Sequence, residues 1–422
     1  MDRIRIVPDL RRPIVIAGAG PHGLSAALHL IDRDPSTRQP LVVCDPSGDW
    51  LTTWRGQFDA MHIDRLRSPV VHHSGCDPMS LSEFCHAHGR HAELFPRYSS
   101  PSANLFDDFT ADLIVSHHID DLIRPTSLTE ICVDGDLIAR CANGDEIRAE
   151  AVIVATNPHR IIRPEWAIAA PDAPIVHTSE LSDAAFVAST PDAELLVVGG
   201  GLSAGQVALH GCAQFSHVTM VARRPMRCSE FDTDPGWLGP KHLNGFEAEP
   251  DPAQRWEQVL AARDGGSIPE WMNDELMSLV AQSRLTIIEG DQVASVDHDR
   301  AHWRARTVVG RSINTSLIVL ATGTAPDVTV DAALRPLVTP ANTLSCGLPM
   351  LSPDLSWVHP RLFVMGRLAA LQLGPTAGNL SGARFGARRI TDALYAPAAE
   401  PATHRTRRPR SFGRRKTPVE HP

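Results

Sequence analysis

The chain has 422 residues, of which 43% are hydrophobic and 21% are charged, and its formal net charge is −9. This length allows two or three domains, and the composition is typical of a soluble globular protein. The negative charge argues against nucleic acid as a partner, and no apolar run is long enough to span a membrane.

The cysteines and the N-terminus bear on the compartment of the protein. The eight cysteines include no Cys-x-x-Cys pair, which favours reduced thiols and argues against a disulfide-relay reductase. The N-terminus is basic but has no apolar segment of the secretory kind, so we expect a cytoplasmic protein.

The first predicted strand, residues 14–17, leads into a GxGxxG loop at residues 18–23 and a helix over residues 24–31. In such a loop the glycines permit, in order, a tight turn, the approach of a pyrophosphate and close packing of the helix on the strand. These glycines are Gly18, Gly20 and Gly23. The next strand, residues 41–44, ends at Asp45, whose carboxylate can accept hydrogen bonds from a ribose diol.

A second glycine loop follows the predicted strand at residues 194–198. Its three small positions are occupied by Gly199, Gly201 and Ala204. The strand after it, residues 217–222, ends in Arg223 and Arg224 rather than in an acid. Because a guanidinium binds a 2′-phosphate that a carboxylate would repel, this loop favours NADPH over NADH.

Three more apolar runs end in small residues, at 151–158, 316–323 and 362–366. They predict buried parallel strands whose C-terminal ends face a ligand. A cluster of Cys85, His86, His88 and His91 lacks the further residues that would complete a ligand set, so we predict no metal site.

These segments resemble the two-dinucleotide flavoprotein monooxygenases, and specifically the lysine and ornithine N-hydroxylases. GAGPHGLS is similar to the FAD loop GxGPxxLS, and GGGLSAGQ is similar to the NADPH loop GGGxSAxE, with Gln206 in place of Glu. Three more segments resemble segments of the family, namely VHTSEL at residues 176–181, ATGTAPD at 321–327 and MGRLAALQLGPTAGNLSGAR at 365–384. The similarity covers nearly the whole chain except the tail.

The resemblance implies an α/β fold with two Rossmann-like dinucleotide-binding domains, the NADPH domain being inserted in the FAD domain. The expected parts are an FAD domain in two pieces, residues 1–185 and 325–396, and an NADPH domain, residues 186–324. The Arg-rich, Pro-rich residues 397–422 are predicted to form a disordered basic tail.

The resemblance also implies FAD and NADPH as cofactors and a set of residues that contact them. Beyond the residues already named, the expected contacts are Pro21, Trp54, Met61, Ser203, Thr322, Gly323, Gly366 and Pro375.

The segment Asp59–Val71 matches a family segment that carries the substrate contacts, with two departures. His62 replaces a glutamine that lies near the flavin, which makes it a candidate catalytic proton carrier. Arg67 replaces a lysine that contacts the amino-acid substrate, and a guanidinium there could bind a carboxylate bidentately in substrate binding and catalysis. In the loop at residues 231–243, Asp232 and Lys241 are further candidates for substrate binding.

The implied reaction passes hydride from NADPH to FAD, forms a C4a-hydroperoxyflavin with O2 and transfers oxygen to an amine or amino acid. Related enzymes that oxygenate carbon or sulfur, an NAD(P)H:acceptor reductase without oxygenation, and a sensor that has lost turnover are the alternatives. Members of the family often form homo-oligomers, but no feature of this sequence decides the oligomeric state.

Overall fold

The computed structural model describes residues 12–38, 40–182, 186–299, 302–342 and 344–396. The predicted tail, residues 397–422, lies outside the described residues. Within those ranges, no helix has the length and apolar character needed to cross a membrane.

The helices and strands alternate along most of the chain. The helices are α1 (Pro21–Arg33), α2 (Thr52–Ala60), α3 (Ser80–Ala87), α4 (Ala103–Ser116), α5 (Glu165–Ile168), α6 (Leu202–Gln214), α7 (Pro240–Ala248), α8 (Pro252–Arg263), α9 (Glu270–Ala281), α10 (Ala370–Leu373) and α11 (Leu380–Leu394). The strands in the first half are β1 (Ile14–Ala17), β2 (Leu41–Asp45), β3 (Leu94–Phe95), β4 (Ser100–Pro101), β5 (Ile123–Pro125), β6 (Leu128–Asp134), β7 (Asp136–Cys141), β8 (Glu146–Ala149), β9 (Ala151–Val154), β10 (His159–Ile161), β11 (Ile175–His177) and β12 (Glu194–Val198). Those in the second half are β13 (His217–Ala222), β14 (Leu285–Glu289), β15 (Val293–Asp299), β16 (His302–Thr307), β17 (Ser312–Thr315), β18 (Leu317–Leu320), β19 (Thr324–Pro326), β20 (Leu344–Ser345), β21 (Leu348–Pro349), β22 (Ser356–Trp357) and β23 (His359–Val364).

The first large sheet has the strand order β22-β23-β9-β1-β2-β5. All neighbours pair in parallel except β22 and β23. The central strand β1 is buried along its whole length, as its run of Ile, Val and Ala predicts. Because the parallel strands end at one edge, the first glycine loop, Asp45 and residues 155–157 meet there.

The second large sheet is entirely parallel, with the order β11-β18-β12-β13-β14. Its strands β12 and β13 have the predicted bounds, and the second glycine loop leaves the end of β12.

The chain passes between the two sheets along an antiparallel pair formed by β10 and β19. Ile161 pairs with Thr324 and His159 pairs with Pro326. The strands of the second sheet therefore lie, in sequence, between β9 and β22 of the first sheet. This arrangement confirms the predicted α/β class with one dinucleotide-binding fold inserted in another.

Helix α1 is longer at both ends than the predicted helix over residues 24–31. It begins at Pro21, because proline suits the first turn, where its missing N–H group needs no partner. Helix α11 packs against α1, and together they cover one face of the first sheet.

Candidate functional site

A cavity of about 800 Å³ connects the two glycine loops. Its lining includes Gly18 and Gly20 of the first loop, Asp45 after β2 and Ser203 of the second loop. Residues that follow strands of both large sheets therefore face one continuous space, and two dinucleotides bound at the two loops would meet in it.

The backbone of the first loop fits a pyrophosphate. Gly18 has a φ of +99°, and a Cβ there would lie 3.1 Å from the carbonyl oxygen of Ala155. A Cβ at Gly23 would lie 1.9 Å from the carbonyl oxygen of Gly18, so only glycine lets α1 pack this close to β1. A Cβ at Gly20 would meet no protein atom within 4 Å, which leaves open cavity where the phosphate should approach.

Asp45 is held in place beside this loop. Its Oδ2 accepts a hydrogen bond from the backbone N–H of Ala19 at 2.9 Å, and its Oδ1 accepts one from the backbone N–H of Ser47 at 2.9 Å. A carboxylate has further lone pairs, so Asp45 can still accept a ribose hydroxyl from the cavity.

The second loop has the same close packing. A Cβ at Gly199 would lie 2.5 Å from the carbonyl oxygen of Ala321, and one at Gly201 would lie 3.9 Å from the Cα atom of Gly266. The turn that contains Gly266 also lines the cavity beside Ser203. Ser203 and Gly266 thus place the second loop at the edge of the same cavity.

Arg223 and Arg224 follow β13, as predicted, and both are exposed. The Nη1 of Arg224 lies 3.6 Å from Oδ1 of Asp264, and the Nη1 of Arg227 lies 3.5 Å from Oδ2 of the same carboxylate. Arg224 and Arg227 therefore share a single acid, whose charge lies beside the predicted 2′-phosphate site.

Arg67 lines the cavity, but its guanidinium is occupied by protein acceptors. It donates to the backbone carbonyls of Glu230 at 2.8 Å and Ser229 at 2.6 Å. It also donates to the carbonyl of Ser267 at 3.1 Å and to its Oγ at 2.8 Å. Four of its five N–H groups are used, so in this arrangement Arg67 has one N–H group left, whereas the predicted bidentate contact with a carboxylate needs two. Burial lowers the pKa of Arg67, which the nearby charge of Asp232 partly offsets.

His62 does not have the predicted position. It is exposed, has a φ of +47° and is absent from the cavity lining, although its neighbours Met61 and Ile63 are part of it. Its ring stacks on His210 with 3.8 Å between the ring centroids. The side chain lies outside the cavity lining, so this structure does not support a role for His62 beside the flavin.

The two other substrate candidates differ from one another. Asp232 lines the cavity, where it lies 3.3 Å from the Nη2 of Arg263 and accepts from the side-chain amide of Asn379. Lys241 lies on α7, outside the lining, with its side chain 66% exposed and 3.5 Å from Asp234. Of these two candidates, Asp232 lines the cavity and Lys241 does not.

The remaining predicted cofactor residues fall into two groups. Four line the cavity, namely Pro21, Trp54, Met61 and Gly366. Thr322, Gly323 and Pro375 lie outside the lining. Thr322 donates to the carbonyl of Ile162 beside the β10–β19 crossing, and the Pro375 carbonyl accepts from Arg263 at 2.9 Å. Of these three residues, Pro375 contacts the wall of the cavity through Arg263, which is part of the lining.

Sequence reasoning missed His22 and Arg367, which both line the cavity. The Nε2 of His22 lies 2.9 Å from the carbonyl oxygen of Ala377, and burial lowers the pKa of the imidazole. Both residues stand within segments that the resemblance had marked, His22 inside the GxGxxG loop and Arg367 directly after Gly366. A basic residue within a predicted cofactor-binding segment was the signal that could have identified each of them.

Comparison with known proteins supports the arrangement. Residues 15–158 match a protein-family model described as FAD-NAD(P)-binding. No curated protein matches the sequence. The ornithine hydroxylase of Pseudomonas aeruginosa in its reduced form superposes with a TM-score of 0.71 at 16% identity, over 91% of this chain and 98% of that chain.

This chain has the fold of the flavin-dependent N-hydroxylases. The ornithine N-hydroxylase of Kutzneria sp. 744 superposes with a TM-score of 0.72 at 13% identity, over 91% of this chain and 98% of that one. The FAD-bound cadaverine monooxygenase of Erwinia amylovora gives 0.69 at 16% identity, over 94% and 99%. The N-hydroxylase fold thus accounts for both large sheets and the crossing between them.

Proposed function

We propose that this chain is an FAD-dependent monooxygenase that uses NADPH and O2 to N-hydroxylate an amine or amino acid. The observation that carries the proposal is the single cavity lined by both glycine loops. Hydride transfer requires the nicotinamide and flavin rings to touch, and only a space shared by both nucleotide sites permits this contact.

In this proposal the first loop and Asp45 hold FAD, and the second loop with Arg223 and Arg224 holds NADPH. Bound FAD would supply the redox chemistry with O2, which no side chain of the protein can replace. The protein binds and orients the nucleotides and keeps water away from the reacting atoms. Trp54 and Met61 supply apolar walls, and Asp232 is the candidate for contact with a polar group of the substrate.

The charge of the cavity suits an amine nucleophile. Four arginines line it, namely Arg65, Arg67, Arg263 and Arg367, and the acids in the lining are Asp45 and Asp232. An aliphatic amine must lose its proton before it can attack an electrophilic oxygen. Because nearby positive charges disfavour the ammonium form, these arginines would lower the pKa of a bound amine.

Spectroscopy and turnover test the proposal. The purified protein reconstituted with FAD should show a flavin spectrum, and a suitable amine from a panel with and without a carboxyl group should stimulate NADPH oxidation, O2 consumption and hydroxylamine formation. NADH should be the poorer donor, since it lacks the 2′-phosphate that the arginines would bind.

Two results would contradict the proposal. A protein that binds no FAD would remove the flavin chemistry altogether. Rapid reduction of quinones, without an oxygenated product from any amine, would instead establish an acceptor reductase.

A further inference from the structure

Arg367 presents a positive charge to the cavity from the segment that follows β23. Its Nη1 donates to Thr324 Oγ1 at 2.6 Å and its Nη2 donates to the Thr324 carbonyl at 2.5 Å. A guanidinium carries five N–H donors, so three remain without an acceptor among the residues that the structure describes.

No acid balances this charge within the described ranges. Burial and, to a smaller extent, the positive charge of Arg263 lower the pKa of Arg367 to about 10, and it remains protonated at neutral pH. Arg263 itself pairs with Asp232, and Arg65 lies 3.5 Å from Glu275. A partly buried cation without a counter-charge is costly, and such a group is expected where an anionic ligand completes the site.

The side chain of Arg367 is also held in position. A Cβ at Gly378 would lie 2.4 Å from the Cγ atom of Arg367, so the chain at residue 378 packs directly on the stem of the arginine. Its two bonds to Thr324 fix the other end. The guanidinium therefore has little freedom to turn towards solvent.

The position of Arg367 relates it to the first nucleotide loop. Its neighbour Gly366 has a φ of +71°, and a Cβ there would lie 3.8 Å from the ring of His22 in the GxGxxG loop. Arg223 and Arg224, in contrast, are placed after β13 in the other sheet. An anion near Arg367 would thus belong to the nucleotide of the first loop.

We propose that Arg367 supplies the positive charge that binds an anionic group of FAD. This inference rests on the proposed occupation of the first loop by FAD. The nucleotide offers two such groups, the pyrophosphate and the isoalloxazine ring, which gains negative charge on reduction. A charge at the pyrophosphate strengthens binding of both redox forms, whereas a charge at the ring favours the reduced form and raises the midpoint potential.

The test compares Arg367→Gln with Arg361→Gln. Arg361 lies on β23, where it pairs with Glu150 at 2.9 Å, and it does not line the cavity. For Arg367→Gln we expect tenfold or greater weakening of FAD binding in both redox forms if the charge is at the pyrophosphate, or a tenfold loss confined to the reduced form if it is at the ring. The second result would lower the two-electron potential by about 30 mV. The control, Arg361→Gln, should change the FAD affinity of the oxidised form and that of the reduced form by no more than twofold each.

Two further variants separate charge from structure. Arg367→Lys keeps the charge and should recover most of the lost affinity or potential. Gly378→Ala keeps the arginine but displaces its stem, and it should reproduce the loss. The FAD-free Arg367→Gln protein should unfold at a temperature no lower than the parent, because the variant removes an unbalanced charge.

The outcomes distinguish this inference from the proposed function. If the parent binds FAD and Arg367→Gln leaves both affinity and potential unchanged, Arg367 does not have this role, and the monooxygenase proposal stands. If lysine fails to restore what glutamine loses, the effect is not one of charge and the inference is wrong. If the parent binds no FAD, both proposals fail together.

Discussion

Arg67 connects the segment after α2 to two distant parts of the chain. Its guanidinium reaches backbone carbonyls at Ser229 and Glu230 and both acceptors of Ser267. Ser229 and Glu230 precede α7, and Ser267 follows α8. One side chain therefore binds both ends of the long segment that contains these two helices, at the wall of the cavity. Arginine suits this role because its planar fork can satisfy several carbonyls at fixed positions.

Replacing Arg67 should therefore reduce stability rather than affinity for a carboxylate. Arg67→Ala leaves three backbone carbonyls without this donor, and we expect a loss of about 2–4 kcal/mol, measured as a lower midpoint in urea. Arg67→Lys should lose a similar amount, because one ammonium cannot span the same acceptors. A substrate contact would give the opposite pattern, with unchanged unfolding and a higher KM only for substrates that carry a carboxyl group.

Strand β1, its glycine loop and α1 form the unit on which FAD binding should depend. Gly20 and Gly23 stand three residues apart in that unit and have opposite surroundings. A Cβ at Gly20 projects into empty cavity, whereas one at Gly23 collides with backbone. The two glycines therefore separate the effect of the ligand from the effect of packing.

The matched pair Gly20→Ala and Gly23→Ala tests this difference. Gly23→Ala should destabilise the FAD-free protein by about 1–3 kcal/mol or more, because α1 must move away from β1. Gly20→Ala should keep the unfolding midpoint within about 0.5 kcal/mol of the parent and still weaken FAD binding by tenfold or more. Calorimetric unfolding and FAD titration give the two quantities, and equal FAD affinity for Gly20→Ala and the parent would place the pyrophosphate elsewhere.

The cavity depends on both large sheets being held together. The crossing strands β10 and β19 join them, and Met61 from the first half packs in the apolar core of the second sheet. Arg65 adds a contact in the same region, with its guanidinium 3.4 Å from the ring centroid of Trp271.

FAD should consequently stabilise the chain as one unit. At a free concentration one hundred times its dissociation constant, FAD should add about 2.7 kcal/mol to the stability of the FAD-free protein. Differential scanning calorimetry should show a single transition that moves to higher temperature. Two transitions, of which FAD moves only one, would show that the nucleotide contacts a single sheet and its helices.

The strands and glycine loops could be predicted from sequence because their causes are local. A run of Val, Ile and Leu that ends in glycine has few alternatives to a buried parallel strand followed by a tight turn, and β12 and β13 have the predicted bounds. The helix boundaries were less accurate: the predicted helix over residues 24–31 omitted the proline at which α1 begins.

The substrate side of the site could not be predicted in this way. His62 and Lys241 occur in or next to segments that reach the cavity, yet neither side chain is part of its lining. Arg67 reaches the cavity but is used by carbonyls more than 160 residues away. Spacing along the chain does not show the direction of a side chain or the acceptors it meets.

The α/β class, the two glycine loops and the acid and arginines that follow their strands could be read from the sequence, since each depends on the few residues around it. The packed fold was needed to show which of these residues share one cavity, which arginines are paired with an acid and which, such as Arg367, are not. Pairing depends on contacts between segments far apart in the chain, and those exist only once both sheets have packed together.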